Sequence, residues 1–315
     1  MSAHANQLPR VSVNVFPGGF NWGLYVARDK GLFAAHGIAV EILATPDSVT
    51  QMTELSQAKF DIAMTAVDNI VAYVEGQGQA PIGPQPGFFA FMGSDSGFLS
   101  LVTAAAYTRI ADLKDKVVSV DAMTTGYAFV LYEILRRNGL EKERDYTLVS
   151  QGGMIQRWTA LREGRCDATL LSAPYNLIAT QSGFREQARA VEVIGPYQGN
   201  VGAARRSWAR ENSDKLVAFI RGYRAAIDWL YDPQNRGEAL TILRRNLPQL
   251  PPEVAEASYG ELLHPQRGFS RTGTIDSDAL GCVLELRSRY ARGGKRLSEA
   301  EKYCDLQYLE RASGR

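Results

Sequence analysis

Leu55-Ser-Gln-Ala-Lys-Phe-Asp61-Ile-Ala recurs in this chain as Leu161-Arg-Glu-Gly-Arg-Cys-Asp167-Ala-Thr. Each copy stands where an amphipathic helix turns, through a small residue, into a buried strand. The two aspartates lie a little over 100 residues apart, about the length of one small α/β lobe. Internal similarity at that spacing is what a duplicated architecture leaves behind. Two lobes in one chain imply a cleft between them, and such clefts are preferred places for small ligands. Both aspartates fall at strand beginnings, so they punctuate the fold, and a ligand is expected at the opposite strand ends.

The flanking segments correspond as well. Residues 11–16 (VSVNVF) alternate as a first strand and break at Pro17-Gly18-Gly19. A helix is predicted over 21–35, a strand over 40–43, a capping box at Ser48 and Gln51 opening the next helix, a strand over 61–66 and a helix over 68–75. The order returns with a strand at 117–121, a helix at 126–138, a strand at 146–149, a helix at 154–163 and a strand at 167–171, with Pro174 suited to the first turn of a further helix. Strands at 88–92, 98–104, 191–194 and 201–204 bracket two places, near 93–105 and 195–203, where the chain crosses between lobes. Two crossings make a hinge. From Ser213 onward the pattern is helical, over 214–231, 236–246, 253–263, 276–292 and 298–311, the last with a Ser298/Glu301 capping box. The expected fold class is α/β: two lobes, each a mostly parallel sheet flanked by helices, with a helical C-terminal tail. The lobes divide as residues 1–97, 98–200 and 201–315, the last segment returning to the first lobe.

Composition narrows the function classes. The 315 residues carry 35 basic and 34 acidic side chains, a net charge of +1 that gives no electrostatic reason to expect nucleic acid. The densest basic run, Arg287 to Arg296, reads as a solvated helix end and loop. No apolar run approaches the ~20 residues that span a bilayer, so the chain is not membrane-embedded. The opening MSAHANQLPR lacks the regions of a signal peptide, yet Ala3-His4-Ala5 has the small-x-small form of a cleavage site. A periplasmic or lipid-anchored protein follows if a signal was trimmed, a cytoplasmic one otherwise. Cys166, Cys282 and Cys304 show no metal spacing, and their odd number argues against a disulfide framework; a Cys282-Cys304 pairing stays open. A monomer is expected.

In open parallel sheets, ligands collect outside the carboxyl ends of strands, where helix N-termini offer free N–H groups. That rule selects four loops and a partner segment, and with them the expected ligand contacts: Phe16, Phe20, Asn21 and Trp22; Ser48 and Thr50; Thr65, Asp68 and Asn69; Thr124, Thr125, Gly126 and Tyr127; and Tyr175 and Asn176. Ser48, Thr124 and Asp68 are equally good helix caps, and Trp22 and Tyr127 could pack in the core. These loops hold aromatics, hydroxyls, amides and acids but no Lys or Arg. A small planar or partly apolar ligand fits them, with a single carboxylate or sulfonate acceptable at the helix N-terminus of Thr124 to Tyr127. None of His4, His36 and His264 falls in these loops, and no catalytic residue, metal ligand or cofactor is assigned. An acid such as Asp68 or Asp121 remains a possible general base.

Tyr25-Val-Ala-Arg-Asp-Lys-Gly31-Leu-Phe-Ala-Ala-His-Gly37-Ile-Ala-Val-Glu-Ile, both copies of the repeated phrase, and Asp112-Leu-Lys-Asp-Lys-Val-Val-Ser-Val resemble, in order and spacing, landmarks of the SsuA-like solute-binding proteins. That family includes binders of sulfonates, nitrate and thiamine pyrimidine precursors, and the resemblance covers about residues 10 to 245. It implies a type II periplasmic-binding-protein fold, two lobes closing on a small organic ligand, and delivery to the permease of an ABC importer. The alternative it implies is an enzyme on the same fold, of the thiamine-pyrimidine-synthase or the desulfinase or decarboxylase kind, acting on a small aromatic substrate. Against that alternative, Asn21 stands where the pyrimidine binders carry a His, and the fungal synthase's cysteine-rich motif is absent.

Overall fold

The computed structural model describes residues 8–314, so the Ala3-His4-Ala5 pattern lies outside the described residues. In chain order the first elements are β1 (Arg10–Val15), α1 (Trp22–Asp29), α2 (Leu32–Ala35), β2 (Ala39–Ala44), α3 (Ser48–Ser56), β3 (Ile62–Ala66), α4 (Val67–Val74) and β4 (Phe88–Gly93). There follow β5 (Ser100–Thr103), β6 (Lys116–Val120), α5 (Gly126–Arg137), β7 (Tyr146–Ser150), α6 (Met154–Arg162), β8 (Ala168–Leu171), α7 (Tyr175–Gln181), β9 (Arg185–Arg189) and α8 (Ala190–Ile194). The chain continues through β10 (Asn200–Arg205), α9 (Arg206–Glu211), α10 (Ser213–Tyr231), α11 (Arg236–Asn246), α12 (Pro252–Leu262), α13 (Ser277–Tyr290) and α14 (Gln307–Ala312).

Two five-stranded sheets, ordered β2-β1-β3-β10-β4 and β7-β6-β8-β5-β9, form the two lobes. In both, the first three strands run parallel and one strand opposes its neighbours: β10 lies antiparallel to β3 and β4, and β5 antiparallel to β8 and β9. The odd strand in each sheet is the one the chain enters on crossing from the other. Helices flank both sheets, so the expected α/β class and its mostly parallel sheets are what forms.

The doubled phrase does the same mechanical job twice. Asp61 accepts from the backbone N–H and the hydroxyl of Ser12, at 2.8 and 3.0 Å, and so clips β3 to β1. Asp167 accepts from the Val117 N–H at 2.8 Å and from the Tyr107 hydroxyl at 2.6 Å, clipping β8 to β6. The turn before each clip is left-handed, at Ala58 (φ 59°) and at Gly164 (φ 70°). Only the second copy uses the residue type that tolerates this conformation freely.

Several expected elements differ. The helix predicted over 21–35 divides into α1 and α2 at Lys30-Gly31. The strand predicted at 191–194 is the short helix α8, and the strand in this region is β9, whose polar sequence REQAR carries no β-branched residue. Pairing with β5 on the sheet edge outweighs that weak propensity. The Ser48/Gln51 capping box does not form: Asp47 caps α3 by accepting from Thr50 N–H at 2.7 Å, while Gln51 turns inward to Asn14 and Met64. The helix expected over 298–311 shortens to α14, because Cys304 bridges to Ala90 of β4, with Ala90 N–H donating to Tyr303 O and Asp305 N–H to Ala90 O. Cys166, Cys282 and Cys304 are free thiols.

At the crossings the two chain segments are knotted through Asp95, which is buried. It accepts from the N–H groups of Gly97 and Asn200 and from the Asn200 amide, while Gly199 N–H donates to its carbonyl. Burial raises the Asp95 carboxyl above the usual range, with these hydrogen bonds opposing the shift.

The C-terminal segment straps the backs of both lobes. One apolar cluster joins Ile70 and Val71 of α4, Phe129 and Val130 of α5, and Leu280 and Val283 of α13. On one side Glu75 meets Lys295, Lys302 and Tyr303; on the other Glu133 meets Arg289 and Tyr290 as well as Arg136 and Arg137 of its own helix. Burial alone would push the Glu75 carboxyl up, but hydrogen bonds from Lys295, Lys302 and Tyr303 outweigh it and hold the group at about 2, down from an ordinary 4.5. Glu133 is shifted in the same direction by its own ring of donors, against the pull of burial. A carboxyl depressed on folding contributes stability that is full above its unfolded pKa and is lost as pH falls toward the folded value. Glu75 should therefore supply on the order of 2 kcal/mol, after screening at the exposed lysines, that disappears between pH 4.5 and 2. Urea denaturation at pH 6 and pH 3 checks this: Glu75→Gln should lose stability at pH 6 and show a smaller drop between the two.

Candidate functional site

A cavity of about 180 Å³ opens between the two sheets at the carboxyl ends of their parallel strands. From the first lobe come Phe16, Pro17 and Phe20 after β1, Thr45, Pro46 and Ser48 after β2, and Ala66 and Asn69 at the β3-α4 junction. From the second come Asp121, Thr125, Gly126 and Tyr127 after β6, Gly153 to Arg157 after β7, and Ser172 after β8, while Gly97 and Asn200 at the crossings close the back. The space exceeds the roughly 150 Å³ of an apolar cavity known to admit benzene, so a single-ring ligand fits.

Of the residues expected at a ligand, Phe16, Phe20, Ser48, Asn69, Thr125, Gly126 and Tyr127 line this cavity together. Thr125 caps α5, accepting from Ala128 N–H at 3.3 Å while its hydroxyl donates to Asp121 at 2.7 Å. The Tyr127 hydroxyl reaches Asn200 across the cleft at 3.5 Å. Burial pushes that phenol well above its usual range, and the carboxylates of Asp95 and Asp121 add to the shift.

The other expected contacts lie elsewhere. Trp22 points into the core of the first lobe, fully buried, its indole N–H donating to Ala239 O at 3.1 Å and its ring edge-on to Tyr259. Asn21 is spent on the backbone, donating to Phe16 O, and so holds the loop that presents Phe16 and Phe20. Thr65 accepts from Asn69 at 2.8 Å, and Thr50, two residues along α3 from Ser48, is not among the lining residues, its N–H taken by the Asp47 cap. Tyr175 packs among Trp158 and Ala179, and Asn176 is buried against Glu186.

Asp68 is a correction of another kind. Arg287, placed by sequence in a solvated helix end, is 1% exposed and grips Asp68 through both carboxylate oxygens, at 2.6 and 2.5 Å. The same guanidinium donates to the Thr124 carbonyl at 3.0 Å and to Gln77 at 3.2 Å, and stacks over Phe129 at 5.0 Å. Thr124 is thus held by its backbone, and the Asp68 side chain sits directly under Gly126, where a Cβ would come 2.4 Å from Asp68 Cβ. This pair is part of the floor that supports the cavity and is not a lining group.

Sequence reasoning missed one wall, Gly153 and the first turn of α6 to Arg157. The strand-end rule that selected the other loops selects this one too, and Gly152-Gly153, one residue past the end of β7, was the signal. With that wall comes Arg157, among the described residues the one cationic side chain lining the cavity. It is 3% exposed. Its Nη1 donates to Leu170 O at 2.7 Å, its Nη2 meets only the Met154 sulfur at 3.7 Å, and its Nε has no partner. Burial lowers the guanidinium's pKa from its usual value, with the negative charge of Asp121 working against that. Neither His36 nor His264 lines the cavity, and the described residues contain no cluster of three or more His, Cys, Asp or Glu able to hold a metal. Among the described residues no helix is long and apolar enough to cross a membrane.

The YtlA protein of Bacillus subtilis is 23% identical over 251 residues, covering 78% of this chain and 73% of that one. Among solved structures, a protein from Bordetella bronchiseptica RB50 superposes with a TM-score of 0.81 at 19% identity, covering 97% of each chain. The periplasmic nitrate-binding protein NrtA of Synechocystis PCC 6803 gives 0.80 at 14% identity, covering 98% of this chain and 89% of its own. The alkanesulfonate-binding protein SsuA of Xanthomonas axonopodis pv. citri gives 0.74 at 15% identity, covering 96% of this chain and 100% of its own. These likenesses establish the periplasmic-binding-protein fold expected from the sequence. The family model described as NMT1/THI5 like matches residues 21–236, and the chain belongs to that family.

Proposed function

We propose that this protein is a solute-binding protein whose two lobes, residues 1–97 with 201–315 and residues 98–200, close on a small aromatic or heteroaromatic solute, or a small sulfonate or carboxylate, and present it outside the cytoplasm to the permease of an ABC importer. The observation that carries this reading is the cavity between the lobes, built by strand-end loops from both sheets and faced with Phe16, Phe20 and Tyr127. Flat apolar walls with a few fixed polar groups are how such sites take a ring and orient it. Two chain segments cross side by side at Asp95, Gly97 and Gly199, and a narrow crossing of this kind supports closure by acting as a hinge. Membership of a family whose structural neighbours include NrtA and SsuA supports the same reading.

A thermal-shift screen of aromatic acids, sulfonates and pyrimidines, with mass spectrometry on each hit, tests it. A saturable shift without product is expected, and Phe20→Ala should weaken the best hit about tenfold with the circular dichroism spectrum unchanged. Turnover of a hit would overturn this reading in favour of an enzyme on the same fold.

A further inference from the structure

We propose that the solute of this cleft is an organic acid bearing one anionic group, which the Arg157 guanidinium receives as a fork. The inference deepens the solute-binding reading and rests on it. A guanidinium offers five N–H donors, and a buried charge is costly unless it is paired. Arg157 is 3% exposed, yet its side-chain partners among the described residues are the Leu170 carbonyl and the Met154 sulfur, neither of them anionic. One donor is spent on Leu170 O, another meets a thioether, and Nε is left with nothing.

If Arg157 served only to tether the β8 carbonyl, those remaining donors would be a standing penalty. A carboxylate or sulfonate supplies two coplanar acceptors that match the guanidinium fork. The N-terminus of α5, at Thr125 to Tyr127, opens on the same space and adds a favourable dipole for an anion.

The cavity also limits the charge it accepts. Among the described residues its one other ionic lining group is Asp121, a carboxylate already accepting from Thr125. A second anionic group on the solute would find no cation and would face that carboxylate. A monoacid on an apolar ring, set against Phe16, Phe20 and Tyr127, satisfies all of these groups.

Matched probes separate this from a purely structural role for Arg157. Calorimetry on the full chain would compare benzoate with benzamide, nicotinate with nicotinamide, benzenesulfonate with benzenesulfonamide, and each monoacid with the dianion phthalate. At least one acid is expected to bind about tenfold or more tightly than its neutral amide and than phthalate, and to lose that advantage in Arg157→Gln, with Arg157→Lys intermediate. If Arg157→Gln fails to fold, the acid-amide comparison on the unaltered protein decides alone. Amides binding as well as acids, or Arg157→Gln keeping its affinity for the acid, would overturn the assignment and leave the solute-binding reading standing. No binding by any acid would overturn the assignment too, whereas conversion of a probe to product would overturn the solute-binding reading itself.

Discussion

Asp68→Ala is expected to cost about 3–5 kcal/mol of folding stability, the cost of stranding one member of a buried ion pair. Its partner, Arg287, has no route to solvent: both side chains are at most 1% exposed. The alanine leaves the guanidinium with Gln77, the Thr124 carbonyl and the Phe129 ring, none of which carries negative charge. Arg287→Ala should cost a similar amount by stranding the carboxylate. The two losses should not add, because the second substitution removes the charge that the first leaves bare. Replacing both with apolar residues of similar volume should recover much of the loss. Equilibrium urea unfolding of the single and double variants measures this, and a single-variant loss below about 1 kcal/mol would mean that the pair is solvated as a surface pair is. The consequence reaches beyond stability. Asp68 stands on α4 of the first lobe, Arg287 on α13, and Thr124 in the loop that opens the second lobe's cavity wall, so the pair fixes the floor of the cleft to the C-terminal strap.

Gly199→Ala is expected to be nearly as damaging, at about 3 kcal/mol, the upper end of ordinary overpacking. A Cβ there would lie 2.0 Å from Gly97 N and 2.4 Å from Gly97 Cα, and 2.7 Å from the Asp95 carboxylate. Two of those atoms are backbone, which cannot swing aside as a side chain can. The two crossing segments would have to part, breaking the hydrogen bonds that Asp95 makes to both. Gly237→Ala is the control: it lies in α11 with nothing within 4 Å of a Cβ, and should be neutral or stabilising by up to about 1 kcal/mol. Thermal unfolding of the two variants side by side settles the point. Equal stability would contradict the close approach at the hinge.

The doubled phrase made the architecture legible. A helix, a turn and an aspartate before a buried strand, stated twice, mark equivalent places in two sheets, and Asp61 and Asp167 prove to be equivalent clips. The strand-end rule then located the cavity loops, because it depends on topology and not on any one side chain. It failed where a side chain's partner lies far along the chain. Trp22 finds Ala239 and Asp68 finds Arg287, each more than 200 residues away, and neither pairing leaves a trace in local spacing. Arg287 looked like part of a solvated basic run because five of the ten residues from Arg287 to Arg296 are Arg or Lys, yet one of them faces inward. Arg157 was hidden differently: it sits one turn inside α6, past the loop, so a count of loop residues found no cation.

The most direct measurement of the central claim is a crystal structure of the protein with the probe that gives the largest thermal shift. The expected result is one intact solute between the lobes, its ring against Phe16, Phe20 and Tyr127 and its acid group on Arg157. Density for the solute outside this cleft, or for a reaction product within it, would contradict the claim.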